Sequence, residues 1–395
     1  MNRSKTLVVL LAALLLVAMT ITACDGAKDD GEFVFGVIMV GPQNDHGWSE
    51  AHYRAGEYVE ANIPGAKMIP MDKVNSADRP DTTTEMIVDD MVSQGAKLIF
   101  TTSDDFAADT DVVAAKYPDV AFMHISGDHA KTGKAPSNVA NFMGNMTYMK
   151  AVAGCAAALK TETGVVGYLG PLTNDETRRL AASAYLGCRE CYERFRGGNP
   201  DDLRFVVTWI GFWFNIPGVT LDPTEVANDL YNSGADVIIS GIDTTEAIIV
   251  AGQRSDRGEN VWAVQYDYES ACDIKPEICL GVPYFNWGPT YVEVVENVKA
   301  GKFEQGWEWQ DPYWKDIADN DKTAVGFKYG PALSEEDQEN LDAFIKDLSR
   351  GDVKLFSGPI YLQDGSLYVE AGKDATQDQI WYLPQLLRGM EGASF

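Results

Sequence analysis

Aromatic side chains recur in this sequence just after short apolar runs, in loops that also contain hydrogen-bonding residues. The aromatic residues of these loops are Trp48, Phe106, Trp213, Phe214, Tyr266 and Trp287. The polar residues beside them include Asn44, Asp45, Ser103, Asp104, Asn215, Asp243, Thr244, Asp267 and Asn286. Aromatic rings stack on a planar ligand while a few polar groups fix its orientation. The pattern predicts a site for a flat heterocycle, and it also fits a sugar, which stacks on aromatic rings too.

Two acids in these loops, Asp243 and Asp267, suit the recognition of the edge of a nucleobase. One carboxylate accepts two hydrogen bonds in a plane, as a ring N–H and an exocyclic amine would donate them. We expect both acids to contact the ligand. The 4 histidines show no spacing typical of a zinc site, so no metal or cofactor is expected.

The sequence contains none of the common catalytic motifs. It lacks a G-x-S-x-G nucleophile turn, a phosphate-binding loop that ends in GK[ST] and a paired-cysteine zinc set. Acidic residues outnumber basic ones by 59 to 32, which argues against the clustered positive charge that a nucleic-acid partner requires. We therefore expect a binding protein rather than an enzyme.

Two pairs of segments repeat along the chain and predict two similar lobes. Residues 34–42 (VFGVIMVGP) resemble 165–171 (VVGYLGP), and residues 94–101 (QGAKLIFT) resemble 233–240 (SGADVIIS). Short continuous apolar strands that alternate with helical patterns are typical of parallel sheets covered on both faces. Ligands of such sheets bind beyond the carboxyl ends of the strands. The aromatic loops of both lobes should therefore face one cleft.

After residue 281 the repetition ends, and the rest of the chain is interpreted as return crossings between the lobes. Residues 307–321 are predicted to form a loop, and Ser334 is predicted to cap a helix. No strand is predicted between residue 124 and a helix at 148–159. A hairpin is expected at Asp364-Gly365.

The N-terminus is typical of an exported lipoprotein. Arg3 and Lys5 precede the apolar run 7–19, and residues 21–24 (ITAC) resemble a lipoprotein cleavage box. The run is shorter than the roughly 20 residues that a spanning helix needs, which disfavours the alternative of an uncleaved membrane anchor. We expect residues 1–23 to be a signal peptide, Cys24 to carry the lipid and residues 24–32 to be a tether. The mature protein would then be extracytoplasmic and bound to the membrane through its lipid.

Five cysteines remain besides Cys24, so at most two disulfides can form within one chain. Cys272 and Cys279 bracket a short loop that contains proline and are the expected pair. The pairing of Cys155, Cys188 and Cys191 stays open. A redox role for Cys188 and Cys191 is disfavoured, because they lie within a predicted helix rather than at its N-terminus.

Several short segments, taken in order, resemble the basic membrane protein (Bmp) family of extracytoplasmic lipoproteins. They are 41–48 (GPQNDHGW), 98–103 (LIFTTS), 234–239 (GADVII), 266–267 (YD), 286–291 (NWGPTY) and 356–360 (FSGPI). The resemblance covers essentially the whole mature chain. It implies an α/β fold of the type I periplasmic-binding-protein class and the role of substrate-binding protein in an ABC importer. The implied partners are a small molecule and an ABC permease with its ATPase.

We accordingly expect residues 33–144 with about 286–325 to form the N-terminal lobe. Residues 145–285 with about 326–395 should form the C-terminal lobe and the return crossings. The residues expected to contact the ligand are Asp45, Trp48, Ser103, Phe106, Trp213, Phe214, Asp243, Thr244, Tyr266, Asp267, Asn286 and Trp287.

Departures from the family pattern indicate which ligand the resemblance implies. Family members that bind purine nucleosides have an Asp-x-Ser-Phe-Asn stretch in the first loop and a lysine near the late crossing. Here Trp48 follows residues 45–47 (DHG), and residues 286–288 read NWG, which resembles the branch that holds free purine bases such as adenine. Ile216 interrupts the usual aromatic-Asp-Pro-Gly pattern at residues 214–218. The alternatives are a purine nucleoside or sugar ligand, a sensory lipoprotein and an enzyme that cleaves nucleosides.

Overall fold

The computed structural model describes residues 31–395. In chain order, its first elements are β1 (Phe33–Met39), α1 (Trp48–Asn62), β2 (Ala66–Met71), α2 (Thr84–Ser93), β3 (Leu98–Thr102), α3 (Ala107–Lys116), β4 (Ala121–Ile125), α4 (His129–Thr132) and β5 (Val139–Gly144). The next are α5 (Met146–Lys160), β6 (Val165–Gly170), α6 (Asp175–Arg194), β7 (Arg204–Trp209), α7 (Pro223–Asn232), β8 (Val237–Ser240), α8 (Glu246–Ser255), β9 (Trp262–Val264) and β10 (Cys279–Phe285). The last are α9 (Gly288–Lys299), β11 (Trp307–Gln310), β12 (Val325–Tyr329), α10 (Glu335–Arg350), β13 (Ile360–Tyr361), β14 (Leu367–Val369), α11 (Gln377–Trp381) and β15 (Met390–Glu391).

Two sheets organise these elements, and each sheet with its helices forms a lobe. The sheet of the first lobe has the order β2-β1-β3-β4-β5-β11, and all of its neighbouring strands are parallel. The sheet of the second lobe has the order β15-β7-β6-β8-β9-β10-β12, and only β10 and β12 run antiparallel. The predicted α/β fold with two parallel-sheet lobes is confirmed.

The chain passes between the two sheets three times, after β5, after β10 and after β11. Every residue of β1, β3, β4 and β5 is buried, as continuous apolar strands covered on both faces should be. None of the helices within residues 31–395 combines the length and the apolar character that crossing a membrane requires. Residues 1–23 and Cys24, the expected signal peptide and lipid site, lie outside the described residues.

Five strands were absent from the prediction, β5, β10, β11, β12 and β15, and the first three have a local reason. β5 follows β4 after a short helix, in a segment where no strand was predicted. β10 contains Gly281 and Pro283, which are typical of turns. β11 lies at the edge of the first sheet inside residues 307–321, which were predicted to be a loop. Its ladder partner β5 holds it in place, and this contact is not visible in the local sequence.

Two local predictions agree with the structure. The Ser334 hydroxyl caps α10 by accepting from the backbone N–H of Asp337 at 3.1 Å. β13 and β14 pair antiparallel on either side of Asp364-Gly365, as the expected hairpin requires.

Two disulfides lie in the second lobe. Cys272 pairs with Cys279, with their Cα atoms 5.6 Å apart, and Cys155 pairs with Cys191, with their Cα atoms 5.1 Å apart. Cys188 is free and buried, and burial raises the pKa of its thiol. A buried thiol with a raised pKa is a poor nucleophile, which is consistent with a structural role for these cysteines.

Helices α5 and α6 pack closely in the second lobe because two glycines lie at their contact. A Cβ on Gly154 would overlap with the carbonyl oxygen of Ala184, and one on Gly187 would overlap with that of Ala151. The overlapping atoms belong to helix backbones, which cannot move aside as a flexible side chain can. The two helices can therefore approach this closely only while both positions lack a side chain.

Replacing Gly154 by alanine should force α5 and α6 apart. Overpacking of this kind lowers the free energy of unfolding by about 1 to 3 kcal/mol. Chemical denaturation monitored by circular dichroism measures the change. Gly306→Ala is the matched control, since a Cβ at Gly306 has no neighbour within 4 Å. Equal stability of the two variants would show that this helix contact is adaptable.

Candidate functional site

A cavity lies between the two lobes, at the carboxyl ends of their parallel strands. The first lobe lines it with Trp48, Ser103, Asp104 and Ser126, and the second lobe with Tyr168, Glu176, Thr177, Leu180, Trp213, Gly241, Asp243 and Tyr266. Its empty volume, including the part open to solvent, is ≈ 420 Å³. The cavity is therefore a narrow slot that both lobes enclose.

Trp48 is the aromatic ring that the first lobe contributes to this slot. It begins α1, after the loop that follows β1. Its indole N–H donates to the carbonyl oxygen of Thr102 at the end of β3, at 2.7 Å. Its ring also meets His52 and Phe285 edge to face, with centroids 4.7 Å and 5.3 Å apart. These contacts fix the orientation of the indole before any ligand arrives.

Trp287, which was predicted to contact the ligand, lies behind Trp48 rather than on the wall of the cavity. It is 1% exposed, and its ring stacks on Phe285 at 4.5 Å and on His52 at 4.6 Å. The residue directly precedes α9, which packs on α1, so this crossing turns the indole inward. Trp287 therefore supports the ring of Trp48 from behind.

Tyr266 brings an aromatic ring from the second lobe, and the back of this ring packs on the buried side chain of Lys150. The ammonium of Lys150 lies 3.1 Å from the centre of the Tyr266 ring and donates to the carbonyl oxygen of Ser240 at 2.6 Å. Lys150 is fully buried, and burial lowers its pKa well below the usual value while the charge of Asp267 opposes that shift. The Lys150 side chain thus fixes the back of the Tyr266 ring.

Asp243 follows β8 and reaches the cavity as predicted from its place in the sequence. It is 4% exposed, and its backbone N–H donates to the carbonyl oxygen of Trp213 at 3.0 Å. Burial raises the pKa of its carboxyl well above the usual value, and the charges of Asp267 and other acids add to the shift. This carboxyl can therefore donate as well as accept a hydrogen bond, depending on the ligand.

Acidic groups dominate the electrostatics around the slot. Burial is the leading cause of a raised pKa for Asp45, Asp104, Asp105, Glu176, Asp243 and Asp267, and it brings the pKa of Asp45 and of Asp105 to about 6. The lining residues include neither lysine nor arginine. Such a site favours ligands that donate hydrogen bonds and disfavours anions. In residues 31–395, no three His, Cys, Asp or Glu side chains are grouped so as to hold a metal ion.

Asp45, Thr244 and Asn286 were predicted to contact the ligand, but their side chains make structural hydrogen bonds. Asp45 accepts from the backbone N–H groups at the start of α1, with Gly47 at 2.9 Å. The Thr244 hydroxyl donates to Glu246 at 2.6 Å, and the Asn286 amide donates to two carbonyl oxygens at 2.7 and 2.8 Å. None of the three is among the residues that line the slot.

Phe106, Phe214 and Asp267 are also absent from the lining residues. Phe106 and Phe214 are buried, and the Phe214 ring packs against Phe212 at 5.1 Å. Asp267 is fully buried at a φ of 69°, and within residues 31–395 neither of its carboxylate oxygens has a hydrogen-bond partner. Of the predicted contacts, the slot brings together Trp48, Ser103, Trp213, Asp243 and Tyr266.

Sequence reasoning missed the part of the slot that α6 provides. Glu176, Thr177 and Leu180 lie in the first two turns of this helix and line the cavity. The repeat had marked the loop before α6, where the sequence Asn174-Asp175 echoes Asn44-Asp45. Position by position, that correspondence matches Trp48 with Arg178 and His46 with Glu176, so the repeat alone did not indicate Glu176. Tyr168 lies within β6, and no local signal distinguished it from core residues.

Two parallel-sheet lobes that enclose one slot at their carboxyl edges define a solute-binding protein. The chain belongs to the Bmp family, whose model, described as ABC transporter substrate-binding protein PnrA-like, matches residues 33–349. The family resemblance noted in the sequence is thereby confirmed. As a substrate-binding protein of an ABC transporter, the protein is extracytoplasmic, binds a small molecule and has a permease as its partner; the family is not one of enzymes.

Relatives with curated names show two kinds of ligand. The chain is 31% identical over 341 residues to a purine-binding protein of Brucella abortus (strain 2308), covering 86% of this chain and 87% of that protein. It is 25% identical over 343 residues to a Haloferax volcanii protein named as an ABC transporter glucose-binding protein, covering 86% and 78%. A solute-binding protein structure from Aeropyrum pernix K1 matches with a TM-score of 0.65 at 14% identity, covering 82% of this chain and 92% of that one. The last match shows the fold alone.

The loop before α1 touches the second lobe at Gly47, which gives a test of lobe closure. A Cβ at Gly47 would overlap with the backbone carbonyl oxygen of Asp243. Gly47→Ala should therefore hold the lobes further apart and give a larger radius of gyration than the wild type in small-angle X-ray scattering. Gly306→Ala serves again as the control. Superimposable scattering curves for Gly47→Ala and wild type would contradict the expectation.

Proposed function

We propose that this protein binds a purine nucleobase, adenine or a close analogue, in the slot between its lobes and delivers it to the permease. The observation that carries the proposal is the convergence of aromatic rings from both lobes with a buried carboxyl group in one narrow cavity. Trp48 comes from the first lobe, and Trp213, Tyr266 and Asp243 come from the second. A ligand that touches both lobes stabilises the closed arrangement, which the permease can then recognise.

The aromatic residues support a flat ligand. Each ring offered to a base contributes about 1 to 3 kcal/mol of stacking energy in comparable protein–base contacts. Trp48 and Tyr266 are held from behind by other rings and by Lys150, so little side-chain freedom is lost when a ligand binds.

The charge of the site supports a neutral ligand rich in N–H groups. Adenine offers an exocyclic amine and one ring N–H as donors, and Asp243 and Glu176 are carboxyl groups on the wall of the slot. A phosphate group would meet these acids with no lysine or arginine among the lining residues to balance it. The site therefore favours a base over a nucleotide.

A sugar is the second candidate, and one comparison favours it. The Haloferax volcanii relative is named as a glucose-binding protein, and sugars also stack on tryptophan and donate to carboxylates. The purine-binding relative is the more similar of these two, at 31% against 25% identity. A purine nucleoside is the remaining alternative, because it shares the base with the preferred ligand.

Binding of a purine base should stabilise the protein against heat. At a ligand concentration one hundredfold above the dissociation constant, the gain is about 2.7 kcal/mol. A thermal-shift panel with adenine, guanine, hypoxanthine, adenosine, glucose and ribose measures it, and we expect adenine to give the largest shift.

Asp243→Asn is the matched variant for this panel, because it keeps the size of the side chain and removes the carboxyl group. It should fold normally and lose roughly ten- to a hundredfold in affinity for the base, the loss of one charge-assisted hydrogen bond. A panel in which glucose shifts the melting temperature and no purine does would replace the purine proposal with the sugar alternative.

We further propose that a lipid on Cys24 anchors the protein to the membrane. Small residues precede Cys24, and the segment after it is polar and contains glycine, as a tether requires. More than one acyl chain on this residue would anchor it stably.

Cys24→Ser should move the protein from the membrane fraction to the soluble fraction of cells. Immunoblots of the two fractions measure this, with Cys188→Ser as a control that changes a cysteine elsewhere in the chain. Retention of the Cys24→Ser protein in membranes would instead indicate an uncleaved anchor.

A further inference from the structure

The C-terminal segment, residues 376–394, lies beyond the region matched by the family model and packs on α6. β15 within this segment extends the second sheet beside β7. Arg178 of α6 donates through Nε to the carbonyl oxygen of Leu383 at 2.8 Å and through Nη1 to that of Ser394 at 3.2 Å. The segment is thus a fixed part of the second lobe.

The same segment encloses the neighbouring Arg179. The guanidinium of Arg179 lies 4.1 Å from the centre of the Trp381 ring and donates to the Trp381 carbonyl oxygen at 3.3 Å. Arg179 is 2% exposed, and its Nε has no hydrogen-bond partner among the described residues. Its Nη2 lies 3.6 Å from Oε2 of Glu176, one turn earlier on α6.

Glu176 connects this arginine to the binding slot. Glu176 is 9% exposed and lines the slot beside Thr177 and Leu180. No other basic side chain forms an ion pair with Glu176 among the salt bridges of the described residues. Arg179 is therefore the cation that compensates a carboxylate placed against the ligand.

We propose that Glu176 is a specificity-determining residue that accepts a hydrogen bond from an N–H group of the ligand. Arg179, held by Trp381 of the C-terminal segment, is the positioning residue that keeps Glu176 ionised and directed at the slot. The inference rests on the proposed purine function and extends it. It assigns the C-terminal segment a part in ligand selection although no residue of that segment lines the slot.

Two opposing effects act on the pKa of Glu176. Burial raises the pKa of Glu176, while the positive charge of Arg179 and a contact with Ser126 act in the opposite direction. An ionised Glu176 can only accept, so this part of the affinity is present above its pKa and is lost as the pH falls through it. Removing the charge of Arg179 moves the pKa of Glu176 upward, and the loss of affinity should then occur at higher pH.

Other titratable groups surround the pair and must be taken into account. They are Asp104 and Asp105 of the first lobe, Asp175 on α6, and Asp45, Asp243, Asp267 and Tyr266 around the slot. Each of them adds its own pH dependence to binding. The test therefore compares variants that differ only at Glu176 and Arg179. Asp104 also feels the charge of Arg179, so the double variant is included to show which part of the Arg179→Gln effect passes through Glu176.

The experiment measures adenine affinity by calorimetry from pH 5 to pH 8 for wild type, Glu176→Gln, Arg179→Gln and the double variant. Glu176→Gln should lose roughly ten- to a hundredfold in affinity at pH 8, the worth of one charge-assisted hydrogen bond. In Arg179→Gln the loss of affinity on acidification should begin at higher pH than in wild type. The double variant should follow Glu176→Gln far more closely than wild type, because most of the effect of Arg179 passes through Glu176. The remainder passes through Asp104, whose pKa the charge of Arg179 also lowers.

Two further variants separate positioning from simple stability. Arg178→Gln removes contacts to the same C-terminal segment and should keep the wild-type pH profile, since its ion pair is with Asp175. Arg179→Lys retains the charge and should restore most of the profile if Arg179→Gln folds poorly. Circular dichroism and melting curves report folding for every variant.

The outcomes separate the inference from the proposed function. A wild-type protein that binds no purine overturns both. Purine binding that is unchanged in Glu176→Gln overturns the inference alone. An Arg179→Gln profile that matches wild type, or a double variant that is much weaker than Glu176→Gln, shows that Arg179 has only a structural role.

Discussion

The burial of acidic groups between two lobes is the constraint on which the rest of this structure depends. An isolated carboxylate is costly to remove from water, and a group of them repel each other as well. A buried basic side chain lies on each of two helices close to these acids, Lys150 on α5 and Arg179 on α6. The remaining acids have raised pKa values. A ligand that donates hydrogen bonds would satisfy these buried carboxyl groups. Closing the lobes would therefore cost less free energy with such a ligand than without one.

Some of the aromatic residues line the slot, and others pack behind them. Trp48 faces the slot, while Trp287 and His52 stack behind it, with centroids 4.6 Å apart. Burial lowers the pKa of His52 well below its usual value, so the imidazole is neutral and belongs to an apolar stack. The rings behind Trp48 are as aromatic as Trp48 itself. For this reason composition alone could not tell which tryptophan lines the slot.

The sequence predicted the architecture well and the site in part. Most interior strands were recognisable because each is a continuous apolar run that needs no partner to be identified, although the interior strand β5 was not among them. β10 and β11 were not, since a strand with Pro283 or one at a sheet edge is defined by its neighbour. Residues directly after strands, such as Asp243, were placed correctly because the edge of a parallel sheet fixes where they lie. Glu176 was missed because the direction of a side chain on a helix depends on how the other lobe approaches it.

The crossing pattern of the chain also constrains how the molecule is made. β11, the last strand of the first sheet, is residues 307–310 and comes after β6 to β10 of the second sheet. A chain synthesised from its N-terminus therefore cannot complete its first sheet until most of the second has emerged, and β15 at residues 390–391 must follow. Neither lobe corresponds to a continuous stretch of sequence. The polypeptide can therefore complete its fold only late in synthesis. A fragment that ends after β10 lacks β11, and the edge of its first sheet is then open.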